Sequence, residues 1–278
     1  MSWLFLLLAS FAWVLFDICR KRLVEMHHPL FVGLIFSLMT LPIYLTYWFV
    51  SGAQFPKDSS YFGLASISGV LAAIGAVSFI AALGRGRFSL LVPVLSLTPL
   101  VAAIINALLF SVVLSWLAYL FIAICVFATF QLLGNGFRVT EPGAGLILLT
   151  TLSWGACICI DQYALQFTYV SFHALWVNIV MVCVLSIALL FNRTAVEFPK
   201  VYNRFWLFGL IGFSAAVLLQ FNALIFLDAS TVEAVKRAIS ILSAMLIGRI
   251  IFGEHLARHH YFFGVVIILS VLAFSQLN

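Results

Sequence analysis

The chain has 278 residues, of which 65% are hydrophobic and only 8% are charged, whereas a soluble domain carries roughly 45–50% apolar and 25% charged residues. So few charges cannot cover a water-soluble surface, and lipid is therefore the expected solvent of the fold. The net charge is +5, but the basic residues stand in short breaks between apolar runs and form no basic stripe, which argues against nucleic-acid binding.

Ten apolar segments follow one another along the chain, and each is long enough to cross a membrane as a helix. Such a helix needs about 20 mostly apolar residues. In chain order the predicted spans are 2–23, 30–50, 61–83, 89–110, 116–134, 143–164, 172–191, 205–227, 231–252 and 261–277. Turn-forming residues stand in the breaks, as at His28-Pro29 and Asn135-Gly136. No break is long enough to hold a soluble domain, so the function is expected within or beside the membrane.

An internal repeat relates the two halves of the chain at a constant offset of 141 residues. Three anchors share this offset, namely Trp13 with Trp154, Ala82-Leu83 with Ala223-Leu224, and Ser89 with Ser230. The sequence therefore predicts two repeats, 1–137 and 142–278, with five spans each. Because five is odd, the second repeat must enter the membrane from the opposite side. Inverted repeats of this kind are typical of secondary transporters, although a duplicated scaffold that has lost transport is the alternative.

These anchors also carry a family resemblance, together with Pro93 and Pro99 in span 4 and the run 234–242 in span 9. Over its whole length the chain resembles EamA-type members of the drug/metabolite transporter superfamily. The resemblance implies an all-α integral membrane protein in which ten helices surround a cavity, lined largely by spans 4 and 9 with help from spans 1, 3, 6 and 8. It implies transport of a small metabolite without naming the substrate. One departure is that Val112-Val113 stand where the second half has Gly253-Glu254.

Span 9 holds the richest set of ionisable residues in the chain, and such residues inside a membrane are costly and usually functional. Glu233 and Arg237 are four residues apart, so they can pair on one helix face. Ser240 and Ala244 continue the same face. We predict that Glu233, Lys236, Arg237 and Ser240 line a substrate cavity. The alternative is that Lys236 and Arg237 extend their long side chains to the lipid headgroups.

Spans 1 and 6 supply further polar candidates for the cavity. Asp17 and Arg20 are three residues apart on span 1 and can pair, while Asp161 and Gln162 lie on span 6. Arg20 and Asp161 correspond at the 141-residue offset, but inversion places them toward opposite membrane faces, so we do not expect them to pair. Asp161 is the best candidate for a titrating carboxylate in apolar surroundings, which suits proton coupling. An interfacial carboxylate without such a role is the alternative.

Three tryptophans could face the substrate, since aromatic rings attract organic cations. Trp13 and Trp154 lie well inside their spans and are predicted to form an interior wall, whereas Trp176 lies near a span end, as in an interfacial belt. Four polar side chains are candidates for neutral hydrogen bonds to the solute, with interhelical contacts as the alternative role, namely Gln220, Asn222, His173 and Asn178. Pro93 and Pro99 are predicted to break the helical ladder of span 4, either freeing carbonyls toward a cavity or only kinking the helix.

Catalytic and nucleotide-binding signatures are missing from the sequence, including His-Glu-x-x-His, the Walker loop and Gly-x-Ser-x-Gly. No enzyme activity, cofactor or metal is therefore predicted. The sequence indicates a secondary transporter or exporter of a small polar or amphipathic metabolite, with amino acids and organic cations among the candidates. The expected location is a bacterial inner membrane, and proton coupling and homodimer formation are further options. The rival prediction is a translocase for a lipid or a lipid-linked headgroup.

The distribution of basic residues makes a prediction about membrane orientation. Eleven lie at breaks after odd-numbered spans, namely Arg20, Lys21, Arg22, Arg85, Arg87, Arg138, Arg193, Lys200, Arg204, Arg249 and Arg258. Three lie on the other side, namely Lys57, Lys236 and Arg237. Because cytoplasmic loops are enriched in Lys and Arg, this count places both termini outside the cytoplasm. The family resemblance implies the reverse, with both termini inside.

Overall fold

The computed structural model describes residues 2–110, 115–135, 138–192 and 204–275. Its helices, in chain order, are α1 Ser2–Val24, α2 Pro29–Ser51, α3 Ser60–Arg85, α4 Phe88–Leu91, a 3₁₀ segment Val92–Leu97, α5 Thr98–Phe110, α6 Trp116–Leu133, α7 Ala144–Ala164, α8 Val170–Asn192, α9 Arg204–Leu224, α10 Ala229–Ile250 and α11 Arg258–Ser275. A two-residue antiparallel pair, β1 Gly134–Asn135 with β2 Arg138–Val139, stands where the two halves of the chain meet. Apart from this short pair, all the regular structure of the described residues is helical, so the predicted all-α class is confirmed for them.

Seven of the described helices are long and apolar enough to cross a membrane, counting Phe88–Leu108 as one. Two others contain shorter apolar stretches, Tyr119–Leu132 in α6 and Arg258–Phe274 in α11. The remaining long helix, α10, is continuous but contains several charged side chains, and it is not among these seven. Large apolar side chains also cover the outside of the bundle, as at Leu108, which is 78% exposed, and Phe191, which is 85% exposed. An outer surface of this kind is stable in lipid rather than in water, and the chain is an integral membrane protein.

The helices pack mainly in pairs that join the first half of the chain to the second. Helix α1 packs against α9, α2 against α8, α3 against α7, and α6 against α11, while α10 packs against α4 and the 3₁₀ segment. Exchanging each helix for its counterpart 141 residues away converts the α1–α9 contact into the α3–α7 contact. The same exchange returns the other pairs to themselves. The core therefore lies between the halves, and helices of both surround its centre.

Two prolines interrupt span 4, as the sequence predicts. Pro93 lies in the 3₁₀ segment, and Pro99 is the second residue of α5. A proline removes one backbone donor and clashes with the preceding turn, which explains why the ladder breaks between Leu91 and Thr98. The broken segment is buried against α7, α10 and α11.

Carboxylates tie the two halves together at one end of the bundle. Glu254, just before α11, accepts hydrogen bonds from the backbone N–H groups of Phe88 at 2.7 Å and Ser89 at 2.9 Å. Glu141, just before α7, forms a 2.7 Å ion pair with Arg87. These contacts satisfy backbone donors at the start of α4 that would otherwise lack partners. Val112-Val113, the counterpart of Gly253-Glu254, lies outside the described residues.

The structure sharpens the charge asymmetry that predicts orientation. The side chains of Arg20, Lys236 and Arg237 are buried inside the bundle, so they are not loop charges. Without them, the sequence count becomes ten basic residues at the breaks after odd-numbered spans and Lys57 alone at the other breaks. We expect a C-terminal reporter that is active only in the cytoplasm to stay silent, since both termini then lie outside. The same reporter inserted after Val24, at the opposite end, should be active, and the reverse pattern would refute this orientation.

Candidate functional site

A central cavity of about 100 Å³ lies between the two halves of the chain. Side chains from α1, α2, α3, α7, α8, α9 and α10 line it. Most of the predicted site residues are among them, namely Trp13, Asp17, Arg20, Trp154, Asp161, Gln220, Glu233, Lys236 and Arg237. The cavity therefore gathers three basic and three acidic side chains into a fold that has few charges elsewhere in its interior.

Helix α10 contributes one carboxylate that faces two cations. Glu233 accepts hydrogen bonds from Lys236 and from Arg237, with an Arg237 guanidinium nitrogen at 2.8 Å. All three side chains are buried, and Lys236 also donates to the Gln220 amide oxygen at 2.6 Å. The predicted pairing of Glu233 with Arg237 is thus present, and the hypothesis that Lys236 and Arg237 reach the headgroups is wrong. Since one negative charge faces two positive charges, this part of the cavity carries a surplus positive charge.

Helix α1 contributes a second buried ion pair. Arg20 donates to the Asp17 carboxylate, as the sequence spacing predicts, and the Arg20 side chain is only 2% exposed. Its guanidinium carbon lies 4.2 Å from the centre of the Phe16 ring and 4.4 Å from that of Phe79. Such stacking stabilises a planar guanidinium out of water. The Arg20 Nε atom has no hydrogen-bond partner among the described residues, which leaves one buried donor at the cavity.

The two tryptophans that the repeat relates meet at the centre of the cavity. The ring centroids of Trp13 and Trp154 are 6.3 Å apart. Trp154 lies so close to the backbone of α3 that a Cβ on Gly75 would fall 2.3 Å from its Nε1 atom, so only glycine fits there. Lys236 lies 5.5 Å from the Trp13 ring centre, and Arg237 lies 5.8 Å from the Trp154 ring centre. The predicted wall exists, but cations of the protein itself already face it.

Asp161 lies in a polar cluster, so the prediction of apolar surroundings is wrong. The side chain accepts a hydrogen bond from Ser68 on α3, and His173 on α8 lies 3.1 Å from it. The thiol of Cys157 is 3.4 Å from the other carboxylate oxygen. Arg20 pairs with Asp17 instead, as expected from the inversion argument. Asp161 is therefore held by neutral or weakly basic groups and has no Lys or Arg partner among the described residues.

Several predicted site residues do not line the cavity. Gln162 accepts a hydrogen bond from the Ala229 N–H at 3.2 Å and so caps the start of α10. Asn222 donates to the Leu218 carbonyl of its own helix at 2.7 Å, and Ser240 is buried elsewhere on α10. Helices that are apolar all round do not reveal which polar residue turns inward, and that is why these three were misplaced.

Span 4 also lies away from the cavity, although the family resemblance implies that it lines it. None of the described residues of Phe88–Phe110 lines the cavity, so Pro93 and Pro99 are kinks packed within the protein. Helices α2 and α8 contribute instead, and Asn178 on α8 donates to the Ser37 carbonyl of α2 at 2.8 Å. Trp176 lies outside the cavity and donates to Ser66 at 3.2 Å.

Sequence reasoning missed the partners of Asp161. Nothing in the sequence marks Cys157, Ser68 or Tyr61 as members of this cluster. The Tyr61 hydroxyl lies 3.0 Å from His173 Nδ1, although the two residues are 112 positions apart in the chain. No local spacing could have revealed contacts between helices so far apart in sequence.

Comparisons with known proteins agree with this architecture. Residues 1–134 and 141–276 each match the model of the EamA-like transporter family, and the gap between them falls at the junction of the predicted repeats. A solved structure described only as "Crystal structure of protein" superposes with a TM-score of 0.68 at 11% sequence identity, covering 99% of this chain and 95% of that chain. At this identity the similarity shows the fold alone. No curated protein matches the sequence.

Proposed function

Because the chain belongs to the EamA-like transporter family, we propose that it carries a small carboxylate-bearing solute across the membrane, with an amino acid as the first candidate. The family makes the chain a membrane transporter of the drug/metabolite type. The substrate class, the mechanism of alternating access and the bacterial inner membrane as its location are our proposal.

The surplus positive charge at α10 is the observation that supports this substrate class. Glu233 is shared between Lys236 and Arg237, so a substrate carboxylate would neutralise the surplus positive charge of this α10 group. Buried cations are costly unless they are paired, and carboxylates form strong hydrogen bonds with Lys and Arg. Arg20 lines the same cavity, and its Nε atom has no hydrogen-bond partner among the described residues. A carboxylate is therefore the ligand group that these residues bind best.

A cluster of three aromatic rings beside the cavity favours an amphipathic solute rather than an organic cation. The rings of Trp13, Phe16 and Phe213 lie within about 6 Å of one another on one side of the cavity, with centroid separations of 4.7 to 6.2 Å. They can pack against an apolar side chain of the solute. Their attraction for cations is already used by Arg20 and Lys236, so a second cation would meet repulsion there.

Alternating access would follow from ten spans arranged as two inverted repeats, 1–137 and 142–278. The exchange symmetry of the main helix pairs supports this arrangement, since α1–α9 corresponds to α3–α7 while α2–α8 and α6–α11 correspond to themselves. In such transporters one half rocks against the other around a central site. Rocking at the end that holds Glu254 and Glu141 would have to break their contacts with Phe88, Ser89 and Arg87.

The size of the cavity favours a solute over a lipid. A single water needs roughly 10–15 Å³ of such space, so about 100 Å³ holds several waters or one small solute. Two acyl chains do not fit in that volume. The lipid translocase therefore remains the second hypothesis, and the same vesicles can test it with a fluorescent lipid.

A comparison of matched ligands tests the proposed carboxylate site. Common amino acids should raise the melting temperature of the purified protein, because a ligand that binds only the native state stabilises it. The corresponding amines, which lack the carboxylate, should not. Lys236→Met should remove one charged partner, about 1.5–3 kcal/mol, and weaken Kd roughly 10–100-fold. Glu233 keeps Arg237 in this variant, so the fold should persist.

Lys57 is exposed in the loop between α2 and α3, so Lys57→Met is the matched control and should bind like the wild type. The proposal also requires uptake of the stabilising amino acid into vesicles that contain the protein. Equal stabilisation by amines, or movement of the fluorescent lipid without amino-acid uptake, would overturn it.

A further inference from the structure

Three buried ionisable side chains form a continuous chain that leads outward from the cavity. Asp161 on α7 lines the cavity, and His173 lies in the first turn of α8. Tyr61 lies in the first turn of α3. The His173 ring joins the other two, with Nε2 3.1 Å from an Asp161 oxygen and Nδ1 3.0 Å from the Tyr61 hydroxyl. Tyr61 and His173 have no exposed surface, and Asp161 is 3% exposed.

The direction of this chain follows from the helix ends that it uses. Helix α3 ends at Arg85, close to Phe88, whose N–H binds Glu254, so α3 begins at the opposite end of the bundle. Helix α7 starts just after Glu141 at the Glu254 end, so α8, which follows α7, also begins at the opposite end. Two exposed residues, Asp58 and Ser59, precede that first turn. The Asp58 carboxylate accepts a hydrogen bond from the Ser60 N–H at 2.9 Å, which lowers the pKa of Asp58 below its ordinary value and keeps it ionised. The three side chains thus extend from the cavity toward the end of the bundle where Asp58 lies.

The repeat does not require this cluster. At the 141-residue offset Val32 stands where His173 stands, Arg20 stands where Asp161 stands, and Gly209 stands where Ser68 stands. The symmetry-equivalent positions therefore hold no histidine–carboxylate pair. Polar side chains in a lipid-surrounded bundle are costly and tend to mark proton or ion pathways. The two-fold repeat by itself therefore does not explain why Asp161 and His173 stand together.

We propose that Tyr61, His173 and Asp161 form a proton relay that couples solute movement to proton movement. This inference rests on the proposed transport function and adds the second transported species. Tyr61 and His173 do not line the cavity, so their role is separate from binding of the solute carboxylate.

The relay conserves protons and charge at each step. The starting arrangement has neutral His173, with Nε2–H donating to the Asp161 carboxylate and Nδ1 accepting from Tyr61. The Nε2 proton moves to the Asp161 oxygen while the Tyr61 proton moves to Nδ1. The Tyr61 oxygen, which is buried in this conformation, takes a proton from hydronium when opening of this end of the bundle admits water. Asp161 is then neutral and donates to Nε2, while Nδ1–H donates to Tyr61. When the cavity opens to the opposite membrane face, Asp161 releases this proton into it, and a change of the His173 tautomer restores the starting arrangement.

Neighbouring charges let the cavity respond to this proton. Cys157 on α7 contacts Asp161, and α9 places the Phe221 ring 4.9 Å from His173. Glu233, Lys236 and Arg237 on α10 and the Asp17–Arg20 pair on α1 line the same cavity.

Neutralising Asp161 makes the cavity one charge more positive, which strengthens its attraction for a carboxylate. Arrival of the proton and binding of the solute therefore favour each other.

Two readouts in the same vesicles test the relay. The vesicles contain the protein and a pH-sensitive dye, and a mixture of common amino acids is the probe. One readout is exchange of labelled amino acids without a pH gradient, and the other is the dye change that amino-acid entry drives. His173→Gln should keep exchange but lose the dye change and the pH dependence of exchange. Tyr61→Phe should slow the dye change and leave exchange intact.

Matched controls lie outside the cluster. His27→Gln and Tyr47→Phe change the same residue types at sites that do not contact Asp161 or His173, and both should behave like the wild type. A full dye response in either His173→Gln or Tyr61→Phe would overturn the relay, as would equal loss of both readouts in a folded variant. Should His173→Gln fail to fold, Tyr61→Phe decides the question. Exchange without any dye change in the wild type refutes the relay alone, whereas absence of exchange refutes the proposed function.

Discussion

Glu233→Gln is expected to cause the largest loss of stability of any single substitution in the cavity. The carboxylate accepts hydrogen bonds from both Lys236 and Arg237, and all three side chains are buried. Removing it leaves two cations without their counter-charge. Removal of one member of a well-buried pair typically costs about 3–5 kcal/mol, and water in the cavity would reduce that figure. Transport should be lost as well.

Arg237→Gln should be milder, because Glu233 then keeps Lys236 as its partner. Helical spacing alone pairs Glu233 with Arg237 and so predicts that the double change Glu233→Gln with Arg237→Gln restores stability. The structure revises this expectation, since Lys236 would stay charged and hold only the Gln220 amide. The double variant should therefore recover only part of the loss, and adding Lys236→Met should recover most of the remainder. Transport should stay absent throughout if these cations bind the solute.

A double-mutant cycle on the free energy of unfolding measures the coupling within this cluster. Glu25→Gln is the matched control, because Glu25 is exposed and its ion pair with Arg22 is 3.7 Å long. An exposed pair contributes only about 0–1 kcal/mol. Small additive losses at Glu233 and Arg237, with normal transport in both single variants, would reject their role in the cavity.

Arg20→Met is expected to have the next largest effect. The side chain fills a buried space between the rings of Phe16 and Phe79 and neutralises Asp17. Methionine can occupy much of that space, but it leaves the Asp17 carboxylate buried without a counter-charge, which costs about 3–5 kcal/mol. Adding Asp17→Asn to Arg20→Met should therefore recover most of the lost stability.

Arg20→Lys separates charge from shape. Lysine keeps the positive charge for Asp17, but its ammonium lacks the flat face that stacks on two rings. We expect a loss smaller than that of Arg20→Met, together with weaker amino-acid binding because the Nε donor is gone. Thermal unfolding of the purified variants measures the first effect, and ligand-induced stabilisation measures the second.

The matched control for Arg20→Met is Arg85→Met, since Arg85 is exposed at the end of α3. Exposed substitutions usually change stability by about 0.5 kcal/mol or less. An Arg20→Met variant as stable as this control would show that the Asp17–Arg20 pair does not stabilise the fold. Failure of Asp17→Asn to restore any stability would lead to the same conclusion.

The sequence by itself determined the class of the protein and its local pairings. Composition alone required lipid around the fold, and apolar runs placed the helices to within a few residues. The 141-residue offset located the junction between the halves, which the family match at 1–134 and 141–276 also respects. The pairs Asp17–Arg20 and Glu233–Arg237 were predictable because helical geometry fixes which residues three or four apart share a face.

Only the tertiary structure decided which polar residues meet across helices. Asp161 draws its partners from α3 and α8, Lys236 finds Gln220 on α9, and Arg20 stacks on Phe79 of α3. It also turned Gln162, Asn222 and Ser240 away from the cavity. The physical reason is that lipid and protein interior are both apolar, so hydrophobic periodicity does not mark the inward face of a membrane helix. Packing between the halves fixes the rotation of each helix, and with it the side chains that reach the cavity.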